Sequence, residues 1–304
     1  MCFLKNDYSN LCTLLTYCIF QMPAQECFHM PADQAQSLSQ VQKPAQGVKR
    51  SFASFRAISA LILREMSTRY GRSPGGYVWA IMEPLGGILL LSLGFSLVMR
   101  TPALGNSFLL FYATGVLPFS LYNMLSGNVM RSLFFSKALL QYPAVTWADA
   151  IIARFILTAL TQLMVMFILV AGILLVTKTR VILEFNPIVV SVLLSMLLGT
   201  GVGVLNCAIF GLFPVWAQVW SILNRPLFIA SGIFFLIDDL PPVVQDILWW
   251  NPVAHVVSLM RTGFYPTYRT EFVNITFVLT VGIVTLFLGI VLVKRYHRDI
   301  LNSR

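Results

Sequence analysis

The residues that could carry chemistry in this sequence are few and far apart. The acidic side chains best placed for general acid or base work are Glu83 and the pair Asp238-Asp239, all near apolar runs. The three histidines form no cluster with acidic residues or cysteines of the kind that binds a metal. The sequence has no G-x-x-x-x-G-K-[ST] phosphate loop, no G-x-S-x-G and no H-E-x-x-H. We therefore expect no catalysis by this chain and no cofactor bound to it.

A second group of polar and aromatic residues lies between Asp238 and Glu271. This segment is too apolar for an open loop and too broken by prolines for a membrane span, so it predicts short re-entrant or interfacial helices. Its acids and tryptophans could line an exit for a sugar-containing substrate, or form an interfacial belt and a capping turn. The candidates are Asp238, Asp239, Trp249, Trp250, Asn251, His255 and Arg261.

Membrane helices must position these residues. Of the 304 residues, 57% are hydrophobic and only 11% are charged, whereas about a quarter are charged in soluble domains. Helices are expected because backbone groups in lipid must be satisfied within their own segment. The sequence predicts an all-α polytopic membrane protein with spans at about 77–99, 107–130, 155–176, 187–213, 220–237 and 273–293. We predict six spans. Five spans plus a re-entrant helix is the alternative, because Asn224-Arg225-Pro226 interrupts the fifth span.

The distribution of basic residues predicts the orientation. Net charge is +9, and 16 of the 21 Lys and Arg residues fall on the side that holds both termini. Because cytoplasmic flanks carry the excess of Lys and Arg, both termini are predicted to be cytoplasmic. An even number of spans agrees with this pattern.

The region before the first span divides into two parts. Residues 1–48 are expected to be a disordered extension or the product of an over-long gene start; their four cysteines are too widely spaced for a zinc site. Residues 49–73 predict an amphipathic helix along the membrane interface, either a surface anchor or a docking surface for a partner. Its apolar arc comprises Phe52, Phe55, Ile62, Met66 and Tyr70. Residues 74–304 form the membrane domain.

Two features within the spans need explanation. Glu83 should face a bundle interior, a polar partner or the interface, because a carboxylate in lipid is costly, and Pro84 should kink the same helix. Gly199 and Gly203 form a G-x-x-x-G pair that predicts a close packing face and is a weak signal for dimerisation.

The run LREMSTRYGRSPGGYVWAIMEP, residues 63–84, resembles the first membrane-entering segment of permease subunits of polysaccharide-exporting ABC transporters, in particular the capsule-export branch. Ser231-Gly232-Ile233-Phe234-Phe235, Leu240-Pro241 and Asn251-Pro252-Val253-Ala254-His255 are similar to later parts of that family. The resemblance covers roughly residues 50–304.

The resemblance implies a half-transporter of the bacterial inner membrane that forms a homodimer and binds two ABC ATPase subunits, on which ATP and Mg²⁺ would be held. The cargo would be a lipid-linked capsular polysaccharide, passed on to a periplasmic adaptor and an outer-membrane exporter. Coupling to the ATPase is expected at Phe52, Phe55, Arg64, Arg69, Tyr70, Arg72, Arg131 and Lys137. Besides residues 238–261, the expected path includes Tyr77, Trp79, Glu83, Pro84, Tyr112, Phe119 and Tyr122.

Three alternatives remain open at this point. The same machine could carry another cargo, such as O-antigen, teichoic acid, a lipid or a drug. A membrane-embedded transferase acting on lipid-linked sugars would need Glu83, Asp238 or Asp239 as its catalytic group. A secondary transporter would carry inverted repeats with broken helices, a symmetry that the sequence does not display.

Overall fold

A computed structural model describes residues 53–70, 76–140, 145–177, 183–268 and 270–302. These residues form helices and short connections, and no strand occurs among them. The predicted all-α class is confirmed. The predicted N-terminal extension lies outside the described residues, and so do Phe52 and the loop residue Arg72.

The helices are numbered in chain order. They are α1 (Ala53–Tyr70), α2 (Gly76–Val98), α3 (Phe108–Met130), α4 (Ser132–Leu140), α5 (Trp147–Thr177), α6 (Phe185–Leu212), α7 (Trp216–Ala230), α8 (Pro242–Trp249), α9 (Pro252–Phe264) and α10 (Ile275–Asn302). A 3₁₀ turn at Ile237–Asp239 precedes α8.

Within the described residues, five helical stretches are long and apolar enough to cross a membrane. These stretches are Val78–Val98, Phe108–Leu140, Trp147–Thr177, Phe185–Leu212 and Ile275–Ile300. The third begins eight residues before the predicted 155, because Thr146 and Asp149 form a reciprocal cap. The Asp149 carboxylate accepts from the Thr146 amide at 2.9 Å, and the Thr146 hydroxyl accepts from the Asp149 amide at 3.2 Å.

The predicted span 220–237 differs most from the structure. Its helix, α7, has 15 residues, which at about 1.5 Å per residue cover about 22 Å rather than the roughly 30 Å of a bilayer core. Pro226 lies inside α7 without ending it. The helix ends at Ala230 because the following turn contains Gly232 at φ +71°, a left-handed conformation that favours glycine.

Helix α6 packs between α3 and α10 through its glycines. A Cβ atom at Gly199 would lie 2.8 Å from Cβ of Leu125, and one at Gly203 would lie 2.8 Å from Cβ of Val129, both on α3. A Cβ at Gly201 would meet the Gly282 carbonyl oxygen of α10 at 2.7 Å. The glycine pair is a close packing face, but its partner is α3 of the same chain, so the dimer signal assigned to it is wrong.

Two short helices, α8 and α9, follow the turn after α7. Asn251 caps α9, since its Oδ1 accepts from the Val253 amide at 3.0 Å, and its Nδ2 donates to the Ala230 carbonyl at 3.1 Å. Helix α9 then packs along α6, where the Ser191 hydroxyl donates to the Val256 carbonyl at 2.8 Å. Residues 238–261 therefore consist of short helical segments joined by tight turns rather than an open loop.

Helix α1 packs against α5. Leu61 is buried there, and Glu65 forms an ion pair with Arg154 of α5. On the predicted apolar arc, Phe55 and Met66 remain exposed, which leaves them available to lipid or to another protein. The structure describes Arg69 and Tyr70 as part of α1 but not their side chains.

Candidate functional site

The main functional candidate is a groove of about 910 Å³ between α2, α3 and α7, called the central groove. Glu83 and Pro84 line it from α2, and Phe119 lines it from α3. The remaining polar and basic lining residues are Ser120, Asn123, Asn128, Arg131, Trp220, Ser221, Asn224 and Arg225. Polar groups from all three sides of the central groove thus face one space within a largely apolar bundle.

Hydrogen-bonding groups of the central groove are only partly used within the chain. Asn224 of α7 donates through Nδ2 to Oδ1 of Asn123 on α3, at 3.1 Å. Among the described residues, neither Nε1 of Trp220 nor Oδ1 of Asn224 has a hydrogen-bond partner. Both atoms are covered by protein in this structure, so a movement of α7 has to expose them before they can bond to a ligand rich in hydroxyl groups, which both accept and donate.

One end of the central groove is aromatic. The ring of Phe228 lies edge-on to Phe119 at 5.0 Å between centroids and to Phe234 at 5.4 Å. Phe234 also contacts Phe95 of α2 at 5.8 Å. These four rings, called the aromatic cluster, bring together α2, α3, α7 and the turn that follows α7.

The other end of the central groove adjoins a basic cavity of about 510 Å³ under α1. Asn128 and Arg131 line both spaces. The cavity also contains Arg64 and the Glu65–Arg154 pair. The Arg154 guanidinium lies 4.7 Å from the Phe135 ring centroid, so this pair is held on an aromatic surface.

The segment between α7 and α10 is fastened by polar side chains. Asp238 accepts hydrogen bonds from the Tyr268 hydroxyl and, at 2.8 Å, from the Thr270 hydroxyl. His255 lies 2.8 Å from the Trp249 carbonyl through Nε2, and its Nδ1 accepts from the Asn274 amide at 3.3 Å. Burial lowers the pKa of His255 below its usual value.

Sequence-predicted residues lie in different surroundings in the structure. Glu83, Pro84 and Phe119 line the central groove, and Arg64 and Arg131 line the basic cavity. Tyr112 and Tyr122 are buried and belong to neither lining. Trp79, Asp239 and Trp250 are exposed, and the side chain of Tyr77 lies outside the described residues.

Lys137 lies apart from the other predicted coupling residues. It lines an apolar pocket of about 330 Å³ with Phe134, Cys207 and Ile300, between α4 and the ends of α6 and α10. Among the described residues, no three His, Cys, Asp or Glu side chains come together as a metal site requires. Basic residues outnumber acidic ones in the linings of both the central groove and the basic cavity.

Sequence reasoning missed Glu65, Arg154, Asn123, Trp220 and Asn224. A signal was present, because Ser120, Asn123, Gly127 and Arg131 recur every three or four residues and so share one face of α3. Trp220, Asn224 and Phe228 do the same on α7. Two facing stripes of this kind predict a polar groove between two helices.

Comparison with known proteins gives consistent matches. The sequence model described as ABC-2 type transporter matches residues 56–265. The chain is 31% identical to the polysialic acid transport protein KpsM of Escherichia coli, over 81% of this chain and 95% of the relative. It is 26% identical to the capsule polysaccharide export inner-membrane protein CtrC of Neisseria meningitidis serogroup A, and 25% identical to BexB, described in the same words, of Haemophilus influenzae. Each of these two matches covers 81% of this chain and 92% of the relative.

Proposed function

The chain belongs to the ABC-2 type transporter family, and from this membership we propose that it is the membrane subunit of an exporter of lipid-linked capsular polysaccharide. The polymer moves from the cytoplasm to the periplasm through a path that includes the central groove. ATP and Mg²⁺ bind to two copies of a separate ABC ATPase subunit. The observation that carries the proposal is the central groove, whose amide, indole and aromatic side chains suit a sugar polymer.

The central groove is long enough to form most of a membrane path. Its α3 wall runs from Val116 to Arg131, which at about 1.5 Å per residue is about 22 Å of a hydrocarbon core roughly 30 Å thick. A hydroxyl-rich polymer loses hydrogen bonds to water when it enters the membrane, so the walls must replace them. Asn123, Asn224 and Trp220 offer such replacements, and the rings of the aromatic cluster offer surfaces for the apolar faces of sugars.

A second copy of this chain completes the path. The central groove is open along one side, and α7, all of which is described, has no buried residue. Large apolar side chains of α2 and α7, such as Leu90, Leu93 and Ile222, are exposed. Apolar faces beside an open polar groove are expected either to contact lipid or to meet the same faces of a second copy, and a homodimer encloses the groove.

Coupling to the ATPase passes through α1 and the α3–α4 corner. Arg64 of α1 and Arg131 after α3 line one basic cavity, and Arg131 also lines the central groove. A movement imposed on α1 by an ATPase subunit is therefore transmitted to residues that touch the cargo. Coupling of this kind requires contacts whose energy differs between two states, and the Glu65–Arg154 pair is the contact we assign.

In the membrane, α1 lies along the cytoplasmic interface and both termini are cytoplasmic. The short α7 and the turn after it make the fifth crossing, α8 and α9 return towards the outer surface, and α10 is the sixth. We propose the bacterial inner membrane as the location, with a periplasmic adaptor and an outer-membrane exporter as further partners.

The test replaces groove amides in a strain whose capsule depends on this gene. Asn123→Ala and Asn224→Ala should reduce surface polysaccharide severalfold and leave polymer inside the cell, while the subunit still co-purifies with its ATPase. Asn186→Ala, at an exposed position at the start of α6, is the matched control and should export normally. Normal export by the double groove variant, or the absence of any association with an ABC ATPase, would contradict the proposal.

A further inference from the structure

Phe234 lines the end of the central groove that is furthest from the basic cavity. It belongs to the connection 231–236, which has no regular helix to hold it. Its ring nevertheless contacts Phe95 and Phe228 from two different helices. Something outside this connection must therefore fix its backbone.

Arg261 of α9 provides the attachment. Its Nη2 donates to the carbonyl oxygen of Ile233 and its Nη1 donates to that of Phe235, each at 3.0 Å. The two acceptors belong to the residues on either side of Phe234, so one guanidinium fork holds the carbonyl groups of both its neighbours. Charge-assisted bonds from a rigid fork fix direction as well as distance.

The surroundings of Arg261 are built for this contact. The side chain is 0% exposed, and its guanidinium lies 4.4 Å from the Phe111 ring centroid. Gly115 supplies the space, since a Cβ there would lie 3.3 Å from Cα of Ile233 and 3.4 Å from Nη2 of Arg261. Among the described residues no carboxylate forms an ion pair with Arg261.

A buried arginine that donates its hydrogen bonds to backbone carbonyls is costly to retain, because its charge is removed from water without an opposite charge. An apolar side chain would fill the same space at lower cost. The specific gain from arginine at this position is control of the connection 231–236. That connection is also where α7 ends, so any displacement of α7 acts on the same two hydrogen bonds.

We propose that Arg261 is a positioning residue that holds Phe234 across the outer end of the central groove and so keeps the path closed. This inference rests on the proposed function, in which that groove carries the polymer. Displacement of α7 breaks the bonds to Ile233 and Phe235, and the ring then leaves the path. Breakage of the attachment by mutation should leave the outer end open.

The test measures access to the connection directly. In a cysteine-free background, a single cysteine replaces Ile233, which is 0% exposed, and a membrane-impermeant maleimide is added from outside. Arg261→Gln should raise the labelling rate about tenfold or more, the factor expected when one charge-assisted hydrogen bond is lost. Arg295→Gln, at an exposed arginine of α10, is the matched control and should leave the rate unchanged.

A leak measurement distinguishes positioning from general stability. Proteoliposomes containing the Arg261→Gln subunit and its ATPase should leak a small sugar without ATP, which a loss of folded protein would not produce. If Arg261→Gln does not fold, Arg261→Lys and Gly232→Ala loosen the same connection more mildly and should raise labelling severalfold.

Unchanged labelling and a tight seal in all folded variants would overturn the inference. Labelling requires no cargo, so a failure of the proposed function has a different result: the wild-type protein would export no polysaccharide, whatever the labelling rates are.

Discussion

His255 is held in its neutral form by the atoms around it. Nδ1 accepts a hydrogen bond from the Asn274 amide, so it carries no proton, and Nε2 donates to the Trp249 carbonyl. The ring also stacks on Phe272 at 4.5 Å. Burial lowers the pKa, because protonation would place a charge on a ring removed from water. Protonation of Nδ1 would also break the bond from Asn274.

The pKa of His255 predicts a pH-dependent stability. Since the folded pKa lies below the unfolded value of 6.5, the unfolded chain binds more protons as the pH falls below about 6.5. Stability is complete above that value and decreases below it. The thermal unfolding temperature of the detergent-purified complex should therefore fall between about pH 6.5 and pH 5 in the wild type and vary less in His255→Gln. His297→Gln is the control and should behave as the wild type; equal pH dependence in all three proteins would refute the prediction.

The Glu65–Arg154 pair joins α1 to α5 and is mostly shielded from water, with 18% and 8% of the two side chains exposed. Glu65→Gln or Arg154→Gln leaves one charge without its main partner and should destabilise the α1 contact by about 1–3 kcal/mol. The expected result is loss of ATPase stimulation by this subunit. The exchanged pair Glu65→Arg with Arg154→Glu should recover part of it, a coupling that a double-mutant cycle measures. Strictly additive losses would argue against a direct contact.

At the scale of elements, α6 depends on close approach to its neighbours. Gly203→Ala places a methyl group 2.8 Å from Cβ of Val129 and 3.1 Å from the α3 backbone, so α6 and α3 must separate. Overpacking of this kind costs about 1–3 kcal/mol, and the folded yield and unfolding temperature should both fall.

Gly172→Ala is the matched control for this prediction. It adds the same methyl group to α5 at a position where, apart from adjoining residues of its own helix, no atom lies within 4 Å. It should be neutral or slightly stabilising because alanine favours helix more than glycine does. Equal behaviour of the two variants would show that the α6–α3 contact can relax.

The long spans could be predicted from sequence because twenty apolar residues have few alternatives in a bilayer. The end of α7 could not, since apolarity continues through Ile233, Phe234 and Phe235 while Gly232 turns the backbone away from the helix. Hydropathy indicates whether a segment can enter the membrane, but the left-handed backbone of Gly232 determines where α7 ends.

The candidate site could be predicted only in part, for a related reason. Glu83, Arg64 and Arg131 are conspicuous as charges and were identified by type, whereas Asn123 and Asn224 become meaningful only when two helices are known to face each other. Tyr112 and Tyr122 have the right chemistry for a sugar path, yet they face the core. Residue type indicates what a side chain can do, and the helix face decides what it touches.

At the scale of the whole molecule, the positive-inside distribution predicts a topology that cysteine labelling can test. Single cysteines at Asn106 and Asn186 should react with an impermeant reagent from outside intact spheroplasts. Cysteines at Ala138 and Val215 should react only after permeabilisation, and one at Asp246 should again react from outside. Reaction of Val215 and Asp246 from the same side would mean that α7 does not cross, leaving five spans and termini on opposite sides.

The order in which the chain is synthesised determines how Arg261 can become buried. Phe111, Ile233 and Phe235 all precede Arg261 in the chain. The aromatic ring that it contacts and both carbonyl acceptors have therefore already left the ribosome when the arginine reaches the translocon. The arginine can move from the translocon directly to its ligands without waiting in lipid. Asp238 is in the opposite situation, since Tyr268 and Thr270 are translated about thirty residues later. It remains exposed in the finished fold, where water can solvate the carboxylate until its partners emerge.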